Sequence, residues 1–392
     1  MNTIIVEEAR NVHLSYTDSG PPKIDHSTPY TTIFAVHGSM FNGAVFKKLF
    51  PLCSRANIRF VSINRRGYPG STDFTDKELE VFSPTTDAET ESEKQKQRVD
   101  YLKARGRELL TFVDTFIQKH DLPPISKVEG EMGTKKKCGG IAILGWSLGH
   151  TVTFATLADL EDAPKEVQAR LAAYLRAHIL LEPPTIMIGR KPFPGTWVPA
   201  WEPSFTPTSA TGLFMVLVSA YYIHGPGVVT LDPKLQTRDP TLMEHVAPAL
   251  PSKDSSNVPS IYNMTPQDVE EIVSFHPVPR ADALLSRTAM LWLDLHQVNY
   301  AKACYSETVR KRLLPEMKVV EIIADRTSAV VAGTFWQIWD DNEEEKEKVR
   351  KVTGLKDVKD FVEFKLMKGA NHFMHWDHPQ ETMDLLVEIL NE

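Results

Sequence analysis

Gly145-Trp146-Ser147-Leu148-Gly149 sets a serine between two glycines, straight after the apolar run Ile141-Ala-Ile-Leu and before the helix-compatible stretch Thr151 to Leu160. A serine on so sharp a strand-to-helix turn sits in strained backbone geometry with its hydroxyl exposed. Side chains in place of the glycines would collide across the turn. A free hydroxyl attacks poorly near neutral pH, so a nucleophilic Ser147 needs an imidazole base, a carboxylate to orient that base, and donors for the oxyanion that develops. Other parts of the chain offer such groups. His37-Gly38-Ser39 ends one apolar run, Glu182 and Asp325 end two others, and His372 lies in the loop Lys368-Gly-Ala-Asn-His.

Those groups can meet only if the runs before them are strands of one sheet. Thr31–Val36, Ile58–Ile63, the run at 141–144, His178–Glu182 and Lys318–Ala324 are continuously apolar or nearly so, the pattern of strands buried on both faces. Phe361–Met367 completes the set, and Thr3–Val6 and Val12–Tyr16 read as edge strands. Helices are expected between them: a short one at Phe46–Cys53, then Val99–His120 with apolar residues at helical spacing, Glu166–Arg176, Trp336–Val352 and Glu381–Leu390. The polar stretches Asp76–Gln97 and Gly130–Gly140 read as surface loops. From Thr185 to Pro315 the strand–helix alternation stops, and helices are expected at Gly212–Ile223, Gln267–Phe275 (Thr265 as cap, Pro266 in the first turn) and Ala281–Tyr300. The expected fold is α/β, a mostly parallel sheet with helices on both faces. Residues 1–184 and 316–392 form its core, with 185–315 as a helical cap inserted between two strands.

His37-Gly38, Arg65-Arg66-Gly67-Tyr68-Pro69-Gly70-Ser71, the serine pentapeptide and Gly369-Ala-Asn-His372-Phe373 follow the order of the α/β-hydrolase fold, which the chain resembles over nearly its whole length outside 185–315. In detail the likeness is to fungal-type serine hydrolases of secondary metabolism. The resemblance implies Ser147 as nucleophile and His372 as general base. It implies the backbone N–H groups of Ser39 and Leu148 as the oxyanion hole, and Arg65 and Tyr68 as a buttress of the oxyanion loop. It leaves two carboxylates for the acid. Glu182 is slightly favoured, as some lipases and thioesterase-like relatives take theirs from that strand end. Asp325 is the alternative, in a turn that departs from the usual Gly-x-x-Asp. The activity implied is hydrolysis of an ester, thioester or lactone, with no cofactor. Aspartate-based epoxide and haloalkane chemistry does not fit a serine. The same elbow also serves acyl transfer, and the fold occurs in non-hydrolytic ligand-binding, cyclase or lyase proteins.

Phe193, Trp197, Trp201, Phe205, Phe214, Tyr221, Tyr222 and Trp292 suggest a pocket for a bulky hydrophobic acyl group, although packing between cap helices accounts for such residues as well. His372, His375 and His378 are spaced like metal ligands, but Pro379 limits helix there and no acidic cluster completes a shell, so no metal is expected. A net charge of -7 argues against nucleic acid as the main partner. Three dispersed cysteines make neither a disulfide framework nor a metal knuckle. No stretch approaches the roughly 20 apolar residues of a membrane span, and the N-terminus lacks the pattern of a secretion signal. A cytoplasmic protein acting on a small hydrophobic ester or thioester is the expectation.

Overall fold

The computed structural model describes residues 2–23, 28–85, 88–129, 135–199, 202, 204–205, 207–245, 258–274 and 280–392. The strands are β1 (Asn2–Glu7), β2 (Val12–Asp18), β3 (Thr31–Val36), β4 (Ile58–Ile63), β5 (Ser126–Glu129), β6 (Lys135–Cys138), β7 (Ile141–Trp146), β8 (Leu175–Leu181), β9 (Lys318–Ala324) and β10 (Glu363–Met367). Eight of them form one sheet in the order β1-β2-β4-β3-β7-β8-β9-β10. From β4 to β10 all neighbours are parallel, while β1–β2 and β2–β4 are antiparallel. Every residue of β3, β4, β7 and β8 is buried, which is why their sequences run apolar without alternation.

The helices are α1 (Asp76–Leu79), α2 (Ala88–Lys119), α3 (His150–Ala158), α4 (Lys165–Tyr174), α5 (Pro207–Ser219), α6 (Pro266–Ile272), α7 (Arg280–Arg287), α8 (Leu293–Tyr305), α9 (Ala329–Thr353), α10 (Met374–Asp377) and α11 (Pro379–Asn391). One core lies under α2, α3 and α8, with Phe112, Phe116, Phe154, Tyr300 and Cys304 packed on Phe34 and Ile143. A second lies under α11 and the segment Gly43–Leu52, around Phe46, Phe60, Trp146 and Leu386, and a third, smaller one joins Val228, Ile323, Phe335 and Trp336.

Several expectations change, among them the bounds of α5, which stops at Ser219 rather than Ile223, and of α9, which opens at Ala329 rather than Trp336. The stretch 76–97 is not all loop: α1 opens with a capping box of Thr75 and Glu78, and α2 begins at Ala88. Its first turns are rich in Glu, Lys and Gln, which favour helix without any apolar period to betray it. Within 130–140, Lys135–Cys138 pairs with Ser126–Glu129 as an antiparallel hairpin, and 130–134 lie outside the described residues. The single helix expected over Ala281–Tyr300 is two, α7 and α8, parted by a 3-10 turn at Ala289–Leu291. Helix α8 packs on α3 and shares its core, so this part of the segment between β8 and β9 covers the sheet itself. Helix α6 keeps its expected start, a Thr265–Asp268 capping box with Pro266 in the first turn. It ends at Ile272, and Phe275 lies outside the described residues.

Candidate active site

Strand β7 delivers Ser147 at the carboxyl end of the sheet with φ of 52°, a left-handed conformation rare for a non-glycine residue. The surrounding glycines are needed because other groups fill their space. A Cβ on Gly145 would stand 2.8 Å from Thr153 Oγ1, and one on Gly149 would meet the backbone oxygens of Val36 and His37 at the end of β3. The serine is therefore pushed forward between an adjacent strand and its own helix.

His372 follows β10 and is anchored to the elbow through Trp146. The indole Nε1 donates to the His372 carbonyl at 3.0 Å, and the two rings are 5.1 Å apart. Its Nδ1 lies 3.0 Å from Glu182 Oε2. Glu182 is fully buried at the end of β8, also with positive φ (55°). Its Oε1 accepts from the Ala324 N–H at 2.6 Å, and its Oε2 from the Thr327 hydroxyl. A buried carboxylate demands partners, and these donors with the imidazole supply them. Asp325, the alternative acid, turns the other way and accepts from the Gly369 N–H at 2.7 Å. It braces the loop that leads to His372, and the structure brings Glu182, not Asp325, to the imidazole.

The loop after β3 closes over the elbow: a Cβ on Gly38 would stand 2.8 Å from Ser147 Cβ. Gly38, the residue before Ser39, thus packs directly on the serine, and Leu148 follows the serine in the elbow. His37 is buried, with Nδ1 2.8 Å from the Gly38 carbonyl and Nε2 accepting from the Arg65 N–H at 3.1 Å, which defines the Nδ1–H tautomer. Burial first, and the Arg65 charge second, hold its pKa well below the usual value, so it stays neutral. Arg65 donates to the carbonyls of His37 (3.1 Å) and Gly38 (2.9 Å), and the Tyr68 hydroxyl accepts from the Met40 N–H at 2.8 Å. Both residues lean in turn on Asp282 of α7.

A cavity of about 920 Å³ opens beside this loop, with Ser39 and Met40 in its wall. Phe193, Phe205 and Phe214 line it, with Ala283 and Met290 of the inserted segment. Ser147 and His372 are not part of that wall, and the cavity borders the loop after β3 at Ser39 and Met40. Of the other aromatics, Trp292 packs against Phe82 and Tyr101, Tyr221 and Tyr222 are buried, Trp197 stacks edge-on to Phe205, and Trp201 lies outside the described residues. His375 is wedged between Phe46, Trp146 and Phe373 rather than facing His372 across a metal site. Among the described residues no cluster of three His, Cys, Asp or Glu is placed to hold a metal ion. Nor is any helix among them long and apolar enough to cross a membrane.

Sequence reasoning missed Thr327 and Asp282. Thr327 follows β9 by three positions, so its turn could have been searched for a hydroxyl donor. Asp282 carries no local signal, because its partners are more than 210 positions away.

A mostly parallel eight-stranded sheet with a serine on the turn after a central strand defines the α/β-hydrolase class of proteins. The profile of the alpha/beta hydrolase family matches residues 33–385, and the chain belongs to that family. No curated protein matches it. Among solved structures, the epoxide hydrolase VrEH1 from Vigna radiata is similar at 14% identity and a TM-score of 0.50, covering 99% of this chain and 96% of that one. A structure from work on carboxylesterases of the ammonia-oxidizing Thaumarchaeon Nitrososphaera gargenis is similar at 12% identity and a TM-score of 0.47 (99% and 97% covered). A thermophilic esterase from Thermogutta terrifontis is similar at 12% identity and 0.40 (100% and 99%). At 14% identity the likeness to VrEH1 is one of fold.

Proposed function

We propose that this chain is a serine hydrolase that opens a carboxylic ester, thioester or lactone with a bulky apolar acyl group. The observation that carries the reading is the 3.0 Å bond between Glu182 and His372 beside the strained Ser147 elbow. In this mechanism His372 Nε2 takes the Ser147 proton as Oγ attacks the carbonyl carbon. Glu182 holds the imidazole by Nδ1–H and stabilises the imidazolium that forms. The N–H groups of Ser39 and Leu148 receive the oxyanion, a contribution of about 10²–10³ in rate for each donor. His372 then gives its proton to the leaving alcohol or thiol. Water repeats the sequence on the acyl-serine, releasing the acid and restoring the hydroxyl.

Epoxide opening, the activity named for one structural neighbour, is disfavoured by the chemistry of the nucleophile. Serine attack on an epoxide carbon gives an ether, with no carbonyl for water to attack, and the enzyme would stay alkylated. An acyl-serine hydrolyses. The cavity beside Ser39, where Phe193, Phe205, Phe214 and Met290 stand among charged groups such as Lys191, Glu202 and Arg287, supports the choice of a bulky acyl group.

A fluorophosphonate probe is expected to label Ser147, and Ser147→Ala to lose both label and ester turnover while melting at the wild-type temperature. A folded wild type that takes no label would overturn the proposal.

A further inference from the structure

We propose that Asp282, contributed by the inserted segment, is a positioning residue that aims the oxyanion-hole N–H of Ser39. The inference rests on the serine-hydrolase reading above. Asp282 is buried and accepts both arms of the Arg65 fork, Nη1 at 2.9 Å and Nη2 at 2.6 Å, with the Tyr68 hydroxyl donating at 2.6 Å. Each of these partners then reaches a peptide group next to Ser39. Arg65 Nη2 donates to the Gly38 carbonyl at 2.9 Å, and Tyr68 Oη accepts from the Met40 N–H at 2.8 Å.

The Gly38 carbonyl and the Ser39 N–H belong to one peptide plane and point in opposite directions, because the unit is planar and trans. Fixing the oxygen with Arg65 therefore fixes the direction of the N–H. Tyr68 fixes the next peptide, between Ser39 and Met40, where φ of 66° at Met40 bends the chain. Without Asp282 the guanidinium loses its counter-charge and its bidentate alignment, and both peptides gain freedom. The loop would still be attached. Ser274 N–H bonds to the Met40 carbonyl and Asn42 N–H to the Ile272 carbonyl, each at 2.8 Å. What Asp282 adds is orientation.

The arrangement also links the cavity to the reacting centre. Ala283 and Ser286, on the same helix as Asp282, line the cavity with Ser39 and Met40, so an acyl group lodged there touches the helix that aims the donor.

The test measures kcat and KM for p-nitrophenyl butyrate, the rate of fluorophosphonate labelling and the Tm of five proteins: wild type, Ser147→Ala, Asp282→Asn, Tyr68→Phe and Lys47→Ala. Lys47 ties α6 of the same inserted segment to the body through Asp268 (2.6 Å) and Glu271 (2.5 Å), and none of its hydrogen bonds goes to residues 37–40, Arg65, Tyr68 or Asp282. Asp282→Asn and Tyr68→Phe are expected to lower kcat and labelling about 10–10²-fold with KM within about twofold, the signature of a contact made to the transition state alone. Lys47→Ala should leave both parameters within about twofold. If Asp282→Asn fails to fold, Tyr68→Phe reads the same chain of contacts. Folded variants with unchanged kcat, or with a raised KM alone, overturn the inference, as does an equal kcat loss in Lys47→Ala. Turnover by wild type and not by Ser147→Ala keeps the serine-hydrolase reading standing in those cases. A wild type with neither turnover nor label removes both.

Discussion

Glu182 Oε2 and His372 Nδ1 stand 3.0 Å apart although 190 positions separate the two residues, and the carboxylate's remaining bonds come from the end of the neighbouring strand and the turn after it. The carboxylate that meets the imidazole is thus held by the end of β9 and the turn after it, while its own residue directly follows β8. This cross-strand support lets a fully buried carboxylate orient an imidazole without movement of its own.

Replacing Glu182 by Gln keeps the shape and removes the charge. It should cut kcat by about 10⁴-fold, as loss of the orienting acid does in comparable triads. Asp325→Ala should leave kcat within about tenfold and cost roughly 0.5–1.5 kcal/mol of stability, the worth of its bond to Gly369 N–H. Steady-state kinetics and chemical denaturation of the two variants decide the matter. A larger kinetic loss in Asp325→Ala would reverse the assignment.

Glycine substitutions separate site geometry from folding. Gly38→Ala places a methyl 2.8 Å from Ser147 Cβ and 3.2 Å from the Trp146 ring, so activity should fall by about 10²-fold or more, the scale of a misplaced reactive group. Gly212 lies within α5, where an added methyl would meet nothing inside 4 Å, and Gly212→Ala should instead gain up to about 1 kcal/mol of stability. Assays on purified variants alongside thermal melts would show whether the two responses part.

Glu321 lies in the core with no hydrogen bond to either carboxylate oxygen among the described residues. Burial, and secondarily the charge of Glu182, push its pKa well above 4.5. The folded state then keeps a proton that the unfolded chain releases. Stability from this group is intact below pH 4.5 and declines as pH rises towards the folded pKa, by up to about 1.4 kcal/mol per unit. Glu321→Met should remove that slope, with its gain largest at alkaline pH. Urea denaturation at about pH 5 and about pH 8 is the measurement, and an equal gain at both would refute the linkage.

His375 has the opposite sign. Burial first, then His372 and Lys48, hold its pKa well below 6.5, and neither ring nitrogen has a partner among the described residues. The unfolded chain takes up the proton first, so stability is lost as pH falls below 6.5. His375→Phe should lessen the acid sensitivity between about pH 6.5 and about pH 4.5. An unchanged acid limb in the denaturation profile would show that other buried histidines, such as His150 and His178, both pushed down to about 3, dominate it.

Under the proposed function the cavity holds the acyl group and sets its size. Phe214→Ala enlarges its wall and should raise KM for a bulky acyl ester by about tenfold, while an acetyl ester changes little, because about 1–3 kcal/mol of apolar burial is lost only by the larger group. Comparison of p-nitrophenyl acetate with a long-chain ester reads this directly, and equal effects on both would place the acyl group elsewhere.

The elbow was legible in the sequence because its cause is local. A buried strand, a glycine-flanked serine and a small-residue helix follow one another within about twenty positions, and packing against β3 and α3 demands those glycines. The strands were legible for a similar reason: complete burial requires an unbroken apolar run. The choice between Glu182 and Asp325 had no such signature. Both residues end apolar runs of adjacent parallel strands, and only the backbone after them separates their fates. Positive φ at Glu182 turns its carboxylate across the end of β9 to His372, while Asp325 turns towards the Gly369 loop. Asp282 was beyond reach altogether, since nothing near it in the chain records a partner as distant as Arg65. Residue types and their order therefore singled out Ser147 and His372, and tertiary packing alone decided which carboxylate meets His372 and what braces the loop after β3, because those contacts form between segments that share no local pattern.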